Sequence, residues 1–455
     1  MTPASHVGDT PKPLLRRWDA IAIIVGIVVG AGIFKTPSMV AGVTGDAGWA
    51  IVAWGLGAVV SLAGALVYAE LATTYPHAGG DYHFLTRAWG RHVSFLYAWA
   101  RATVINTGAI ALLAFVFGDY MSKVMPLGSA SGALWAALIV IALTALNIAG
   151  LKTSARTQNV LTIVEVAGLA AVAIAGFLAT PVAGATPAAF SSTPALGLFG
   201  LSMVFVLLTY GGWNEAAYIS AELRGGRREI VPVLIISLAI LATLYIVVNL
   251  SLLQGLGLKG LADSKAPGAD VMERVFGLRG AQLVSLFVAI AALTSINATM
   301  IVGARTNYAM GRDWSALRFM GGWHAGRGTP RMAMLVQGAI ALALVGFGAL
   351  QQDGFESMVE FTAPVFWTFL LLVGVALFRL RAKDPGAERP FRVPLYPFTP
   401  IVFVAACAWL AYSSITYAAS RNAVHISLIV MAVGAIALLL TRAKRTPTAP
   451  AVADD

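Results

Sequence analysis

The stretch Gly26-Ile27-Val28-Val29-Gly30-Ala31-Gly32-Ile33-Phe34-Lys35-Thr36-Pro37 decides the reading of this chain. With its apolar flanks it is long enough to cross a membrane, yet it carries three glycines and a proline. Glycine costs about 1 kcal/mol in a helix interior and proline about 3. A backbone opened inside hydrocarbon must find hydrogen-bond partners, so a helix broken there survives only where it lines a cavity. A second stretch, Leu208-Thr209-Tyr210-Gly211-Gly212-Trp213-Asn214, repeats the pattern with a glycine pair among polar neighbours. Gly26 and Gly30 alone would read as a packing notch, since small residues four apart let membrane helices approach closely. Two such clusters at matching places in two runs of helices read instead as paired broken helices around a midplane site. Half-helix N-termini attract an anionic group, and unwound carbonyls accept an ammonium or a cation. That combination suits a zwitterion.

The rest of the chain supplies the membrane. Of 455 residues, 58% are hydrophobic and 11% charged, against about 25% charged in a soluble domain. Mean hydropathy is +0.79. These values exclude a disordered chain, a disulfide scaffold and a soluble enzyme. Apolar runs fall at 19–42, 48–73, 93–121, 132–150, 156–179, 196–220, 230–256, 280–308, 332–350, 358–380, 396–418 and 424–442, each near the 20 or so residues that a spanning helix needs. Residues 1–18 read as a cytoplasmic N-terminal segment, 19–442 as one transmembrane domain and 443–455 as a cytoplasmic tail. Arg16 and Arg17 precede the first run, but it flows into further spans without a cleavage site and reads as a retained helix.

The net charge of +10 does not indicate nucleic acid, because the basic residues are spread over short loops. With both termini in the cytoplasm, 23 of the 31 lysines and arginines fall in cytoplasmic segments and six outside, while Lys35 and Arg101 lie within spans. This is the positive-inside pattern, and one misplaced span would scramble it. The single cysteine, Cys407, sits in an apolar run and reads as a small buried hydrophobe. It allows no internal disulfide, and no cysteine lies in an outside loop to tether an accessory subunit. The six histidines fall in loops, the tail or span ends, so no metal-type cluster or nucleophile with a base sits on a span. No nucleotide-phosphate motif is present. A membrane-embedded enzyme and an ATP-driven pump are therefore disfavoured, no cofactor is implied, and a channel or non-transporting sensor stays open on broken helices alone.

Four stretches in order resemble the amino acid/polyamine/organocation superfamily, within it the L-type amino-acid transporter branch. They are Gly30-Ala31-Gly32-Ile33-Phe34; Tyr68-Ala69-Glu70-Leu71 with Pro76 to Tyr82; Tyr210 to Asn214 followed by Glu222; and Arg389-Pro390-Phe391-Arg392-Val393-Pro394 with Tyr396-Pro397. The resemblance implies an all-α membrane protein of about twelve transmembrane helices in a LeuT-type 5+5 inverted repeat, about 19–179 and 196–380, with two further helices at about 396–442. It implies secondary active amino-acid transport by alternating access, proton-coupled or by exchange; the short loops fit a bacterial inner membrane. Polyamines or other organic cations are the alternative substrates. By position, the substrate carboxylate would meet backbone N–H groups of Ala31 and Gly32, with Gly30 opening the turn. The amine would meet carbonyls near Val28, Leu208 and Gly211, beside Gly212. Leu208 stands where the family often has an aromatic gate, and Ala31 where it often has a hydroxyl.

Ionisable groups within spans are functional candidates by default, since a charge at mid-membrane costs about 2.5–3.5 kcal/mol or more. Glu165 lies about ten residues into the fifth run, where many relatives carry a lysine. It reads as a proton-coupling group near Gly30 and Ser295, or as a structural partner of Arg101. Lys35 follows the first break and either lines the outer vestibule or snorkels outward, the second being favoured. Glu215 could bind a cationic substrate, face a polar partner or pass a proton. Tyr210, Trp213 and Asn214 are cavity candidates, Asn214 ahead of the aromatics, which more often pack. Ser295 and Asn297 resemble the face beside the family's cation site. Glu70, Asp81 and Glu222 read with nearby arginines as a cytoplasmic charge network that shifts during transport, or as a solvated rim.

Overall fold

Every one of the twelve apolar runs carries a helix in the computed structural model, which describes residues 17–76, 80–150, 155–182, 190–213, 229–324, 329–420 and 424–440. The first run is split: α1 (Arg17–Val28), a four-residue 3-10 turn (Ala31–Phe34) and α2 (Thr36–Thr44). The next elements are α3 (Ala47–Thr74), α4 (Asp81–Trp89), α5 (Arg91–Ala100), a π turn (Arg101–Ile105), α6 (Asn106–Val124), α7 (Ser131–Ala149), α8 (Ala155–Leu178) and α9 (Leu196–Thr209). Then come α10 (Ile230–Asp263), α11 (Pro267–Asp313), α12 (Arg331–Ala349), α13 (Gly354–Lys383), α14 (Phe398–Ser420) and α15 (Val424–Leu440). Among the described residues there is no strand, only an isolated bridge between His324 and Thr329.

Eight helices are long and apolar enough to cross a membrane, and three shorter apolar ones accompany them among the described residues. The split first run falls short of that length for the reason its glycines gave. Local sequence marks the ends. Asp46 caps α3 by accepting the Trp49 N–H at 3.0 Å, and Pro37 sits in the first turn of α2, where its missing N–H costs nothing. Gly277, at φ 67°, interrupts α11 near its start, in the left-handed region that favours glycine. The polar sequence 81–89 reads as loop, yet it forms the short helix α4, which buries only Asp81, Phe84, Leu85 and Ala88.

The chain divides into two compact units. The first takes Met1–Trp89, Ala170–Pro267 and Thr368–Leu410; the second takes Gly90–Leu169, Gly268–Trp367 and Ala411–Asp455. In the first unit, α10 packs on α1, α2 and α3, and α9 packs on α2, α3 and the 3-10 turn. A side chain on Gly57 of α3 would begin 2.3 Å from Val206 of α9, so this contact requires the glycine. In the second unit, α6, α7 and α12 pack on one another and α15 packs on α5. There Gly118 and Gly132 bring the backbones of α6 and α7 together, a Gly118 side chain having to begin 2.0 Å from the Gly132 carbonyl oxygen. Lipid offers apolar helices no drive to associate, so close backbone approach of this kind is what holds them.

Candidate functional site

The first break lies in the first unit. Helix α1 ends at Val28, and Gly30 is extended (φ −111°, ψ −179°), its N–H turned back onto the Val28 carbonyl at 2.9 Å. The 3-10 turn starts at Ala31, and no side chain caps it. An uncapped helical start leaves its first N–H groups without intrahelical acceptors, here those of Ala31 and Gly32. The chain then passes through Lys35, whose N–H meets the Gly32 carbonyl at 3.0 Å, into α2.

The second break follows Thr209 in the same unit. The Gly211 N–H turns back onto the Leu208 carbonyl at 3.2 Å, and Gly212 is left-handed at φ 107°. A side chain on Gly211 would begin 2.9 Å from the Leu208 carbonyl oxygen, so neither glycine accepts replacement without a shift of backbone. The two breaks are joined by three residues that sequence reading missed. The Thr209 hydroxyl is 2.7 Å from that of Thr36. It is also 3.7 Å from where a Gly32 side chain would start. Tyr245 of α10 directs its hydroxyl at the Val28 carbonyl, 3.0 Å away, and at the Thr209 carbonyl, 3.4 Å away. The signal was there: a lone tyrosine in the apolar run 230–256 has a phenol that must find a partner.

Several expectations change on this geometry. The Val28 carbonyl, expected open for an amine, already accepts from Gly30 and Tyr245. That of Leu208 accepts from Gly211. Tyr210 and Trp213, cavity candidates from sequence, are packing residues. Tyr210 is fully buried, donates to the Trp54 carbonyl at 3.2 Å and lies against the Trp54 and Tyr245 rings. Trp213 stands edge-on to Tyr68 and Phe403 and fills the notch at Gly64. Asn214, Glu215 and Glu222 lie outside the described residues. Lys35 does not snorkel: it is fully buried, with Nζ 3.4 Å from the Lys265 carbonyl.

The second unit holds Glu165 on α8. It is buried, and Oε1 accepts the Thr294 hydroxyl of α11 at 2.7 Å. The residue that reaches it is therefore Thr294, not the adjacent Ser295, whose carbonyl accepts from Thr299. Among the described residues Glu165 forms no ion pair. Arg101 begins the π turn and donates to the Tyr97 hydroxyl at 3.1 Å. Asn297 accepts from Asn147 at 2.8 Å. Helix α13 adds two acids that sequence reading passed over. Glu360 is buried within the run 358–380, and Glu356 accepts from the Tyr417 hydroxyl at 2.5 Å.

Glu70, at the end of α3 in the first unit, is 1% exposed, so the solvated-rim reading falls. Its two oxygens take a bidentate pair from Arg381 at 2.8 and 2.6 Å, and the Val393 N–H donates to it at 2.6 Å. Arg389 stands 3.7 Å off and caps carbonyls of Asp384 and Ala387 at the end of α13. The Arg389–Pro394 stretch is thus a loop wrapped around one carboxylate. Bidentate charge-assisted bonds of this kind are the strong ones.

A family model described as "Amino acid permease" matches residues 15–438. The chain belongs to the amino acid permease family. As a permease of this family it is an integral membrane protein of amino-acid transport, not an enzyme. It is 28% identical over 406 residues to the mouse b(0,+)-type amino acid transporter 1, covering 87% of this chain and 81% of that one. It is 27% identical over 402 residues to the serine/threonine exchanger SteT of Bacillus subtilis, covering 87% and 90%. The human cystine/glutamate transporter is 27% identical over 403 residues, covering 87% and 79%.

Proposed function

We propose that this permease moves amino acids by alternating access, holding the zwitterion at the paired breaks of its first and sixth spans. The observation that carries the reading is the uncapped turn at Ala31 and Gly32 beside the Leu208–Gly212 break. The carboxylate takes the two N–H groups. The amine takes backbone carbonyls of the breaks, and at Val28 it competes with the Tyr245 hydroxyl. Substrate binding and the brace between the breaks are then exclusive, which couples occupancy to local rearrangement. The two units support the inverted repeat, because each draws an early and a later stretch from corresponding parts of the halves read from sequence.

Glu165 is the coupling group in this reading. A membrane carboxylate held by one neutral hydroxyl, with no cation paired to it among the described residues, can take up and release a proton without breaking a salt bridge. Exchange is the second reading, and the Bacillus relative's name as an exchanger favours it. In this reading both termini face the cytoplasm, as the basic loops argue, and the short loops fit a bacterial inner membrane. Cys407, the one cysteine of the sequence, is buried.

Counterflow in proteoliposomes tests the substrate. Vesicles preloaded with an unlabelled amino acid should accumulate the labelled L-form from outside and not its D-form, and Gly32→Leu, shown to be folded, should remove that signal. Equal uptake by Gly32→Leu would place the substrate elsewhere.

A further inference from the structure

Among the described residues of the second unit four carboxamides are buried, Asn106, Asn147, Asn307 and Gln337, with Asn297 half-buried, and they behave in two ways. Asn147 and Asn297 bond to each other directly at 2.8 Å. Asn106, Gln337 and Asn307 do not bond to each other. Asn106 directly follows the π turn at the start of α6 and is 8% exposed; Gln337 of α12 and Asn307 of α11 are 1% exposed. Asn106 Nδ2, Gln337 Oε1 and both amide atoms of Asn307 find no protein hydrogen-bond partner among the described residues. Gln337 is anchored by its other amide atom, Nε2, which donates to the Met300 carbonyl at 3.0 Å.

These groups converge. A side chain on Gly303 of α11 would begin 2.1 Å from Gln337 Oε1 and 2.9 Å from Asn106 Nδ2, so a donor from α6 and an acceptor from α12 meet over a position cleared of side chain. Asn307 lies four residues on, one turn away along the same face of α11. A buried polar atom left unpaired is costly, and here a donor and an acceptor stand unpaired at one point, with a third carboxamide one helical turn away. The geometry points to a built site for an ordered water at Gly303, accepting from Asn106 Nδ2 and donating to Gln337 Oε1, with Asn307 serving it or a second water.

The donor set selects water over an ion. A cation wants oxygens, usually with a carboxylate among them, and here an N–H group faces the point while all three side chains are neutral. An anion finds an acceptor carbonyl in its way. A ligand that both donates and accepts meets every free atom, and buried waters of this kind typically make about three hydrogen bonds. The π turn supports the assignment independently: such turns recur at functional sites, and this one delivers Asn106 to the convergence point. The water pins α6, α11 and α12 of the second unit through bonds that can be remade at small cost.

A map of the parent permease in nanodiscs at about 2 Å decides it first. The expected result is a peak within about 2.7–3.2 Å of both Asn106 Nδ2 and Gln337 Oε1; the two amides closed directly on each other with no peak would overturn the site. Melting in sodium, potassium and choline buffers separates water from an ion. Equal melting temperatures are expected, and a rise specific to sodium that Asn106→Leu removes would overturn the assignment to water. Asn106→Leu and Gln337→Leu should each lower the melting temperature by several degrees, since each strands the other's polar atom. The double variant should recover part of the loss. Strictly additive losses would show that the two amides share no bridge.

Discussion

The Tyr245 hydroxyl lies 3.0 Å from the Val28 carbonyl and 3.4 Å from that of Thr209, so one phenol braces the ends of both broken helices. The phenol shares its one proton between the two carbonyls, the shorter contact going to Val28, which also accepts the Gly30 N–H at 2.9 Å. In the proposed binding mode it also sets a competition, since the substrate ammonium would take the same acceptor. Tyr245→Phe keeps the ring packed between Trp54 and Tyr210 and removes only the hydroxyl. A hydrogen bond of this kind is worth about 0.5–1.5 kcal/mol. The Phe variant should fold, and its apparent KM for amino acid should shift by up to about tenfold with a smaller change in maximal rate. Identical kinetics would make the hydroxyl a bystander.

The Glu70 clamp predicts a stability effect remote from the substrate. Removing one partner of a buried ion pair costs about 3–5 kcal/mol, because the other charge is left uncompensated. Glu70→Ala should therefore melt markedly earlier than the parent. Arg381→Lys should not preserve stability, since a single ammonium cannot make the two parallel bonds at 2.8 and 2.6 Å. Near-parental melting of both variants would mean that the Arg389–Pro394 loop holds without them.

Asp46 gives a pH-dependent effect outside the spans. Burial pushes its carboxyl up, but hydrogen bonds from Trp49, Ser191 and Ser192 outweigh it and hold the group below its ordinary value. A carboxyl lowered on folding adds stability that is fully present above its unfolded value of about 3.9. That stability is lost as the pH falls through the lower folded value. Asp46→Asn should melt a few degrees below the parent at pH 7, and the gap should narrow below about pH 4. A gap that stays constant down to pH 3 would show that the charge contributes nothing.

The spans and the breaks were legible because the bilayer imposes a length on apolar runs and a penalty on glycine and proline inside them. The Gly30–Gly32 and Gly211–Gly212 breaks stand where those residues put them. Side-chain partners were less legible. Thr294 and Ser295 are adjacent hydroxyls, and only the rotation of α11 decides which one meets Glu165. Lys35 reads as an outward-reaching cation until the Lys265 carbonyl is brought to it from a loop 230 residues away. Trp213 looks like a cavity wall until Gly64, on another helix, opens the notch that takes it. Each miss is a contact between distant parts of the chain, which local patterns do not encode.

The coupling claim for Glu165 rests on one hydroxyl bond and on the lack of a paired cation among the described residues. Uptake of labelled amino acid into empty proteoliposomes, with and without an inward proton gradient, tests it directly on the parent and on Glu165→Gln. Gradient-driven accumulation is predicted for the parent. Glu165→Gln should lose that accumulation and keep counterflow, because it retains the Ala31–Gly32 site. Gradient-driven accumulation that survives in Glu165→Gln would contradict the account. So would a parent permease, shown to be folded, that takes up amino acid only when the lumen is preloaded.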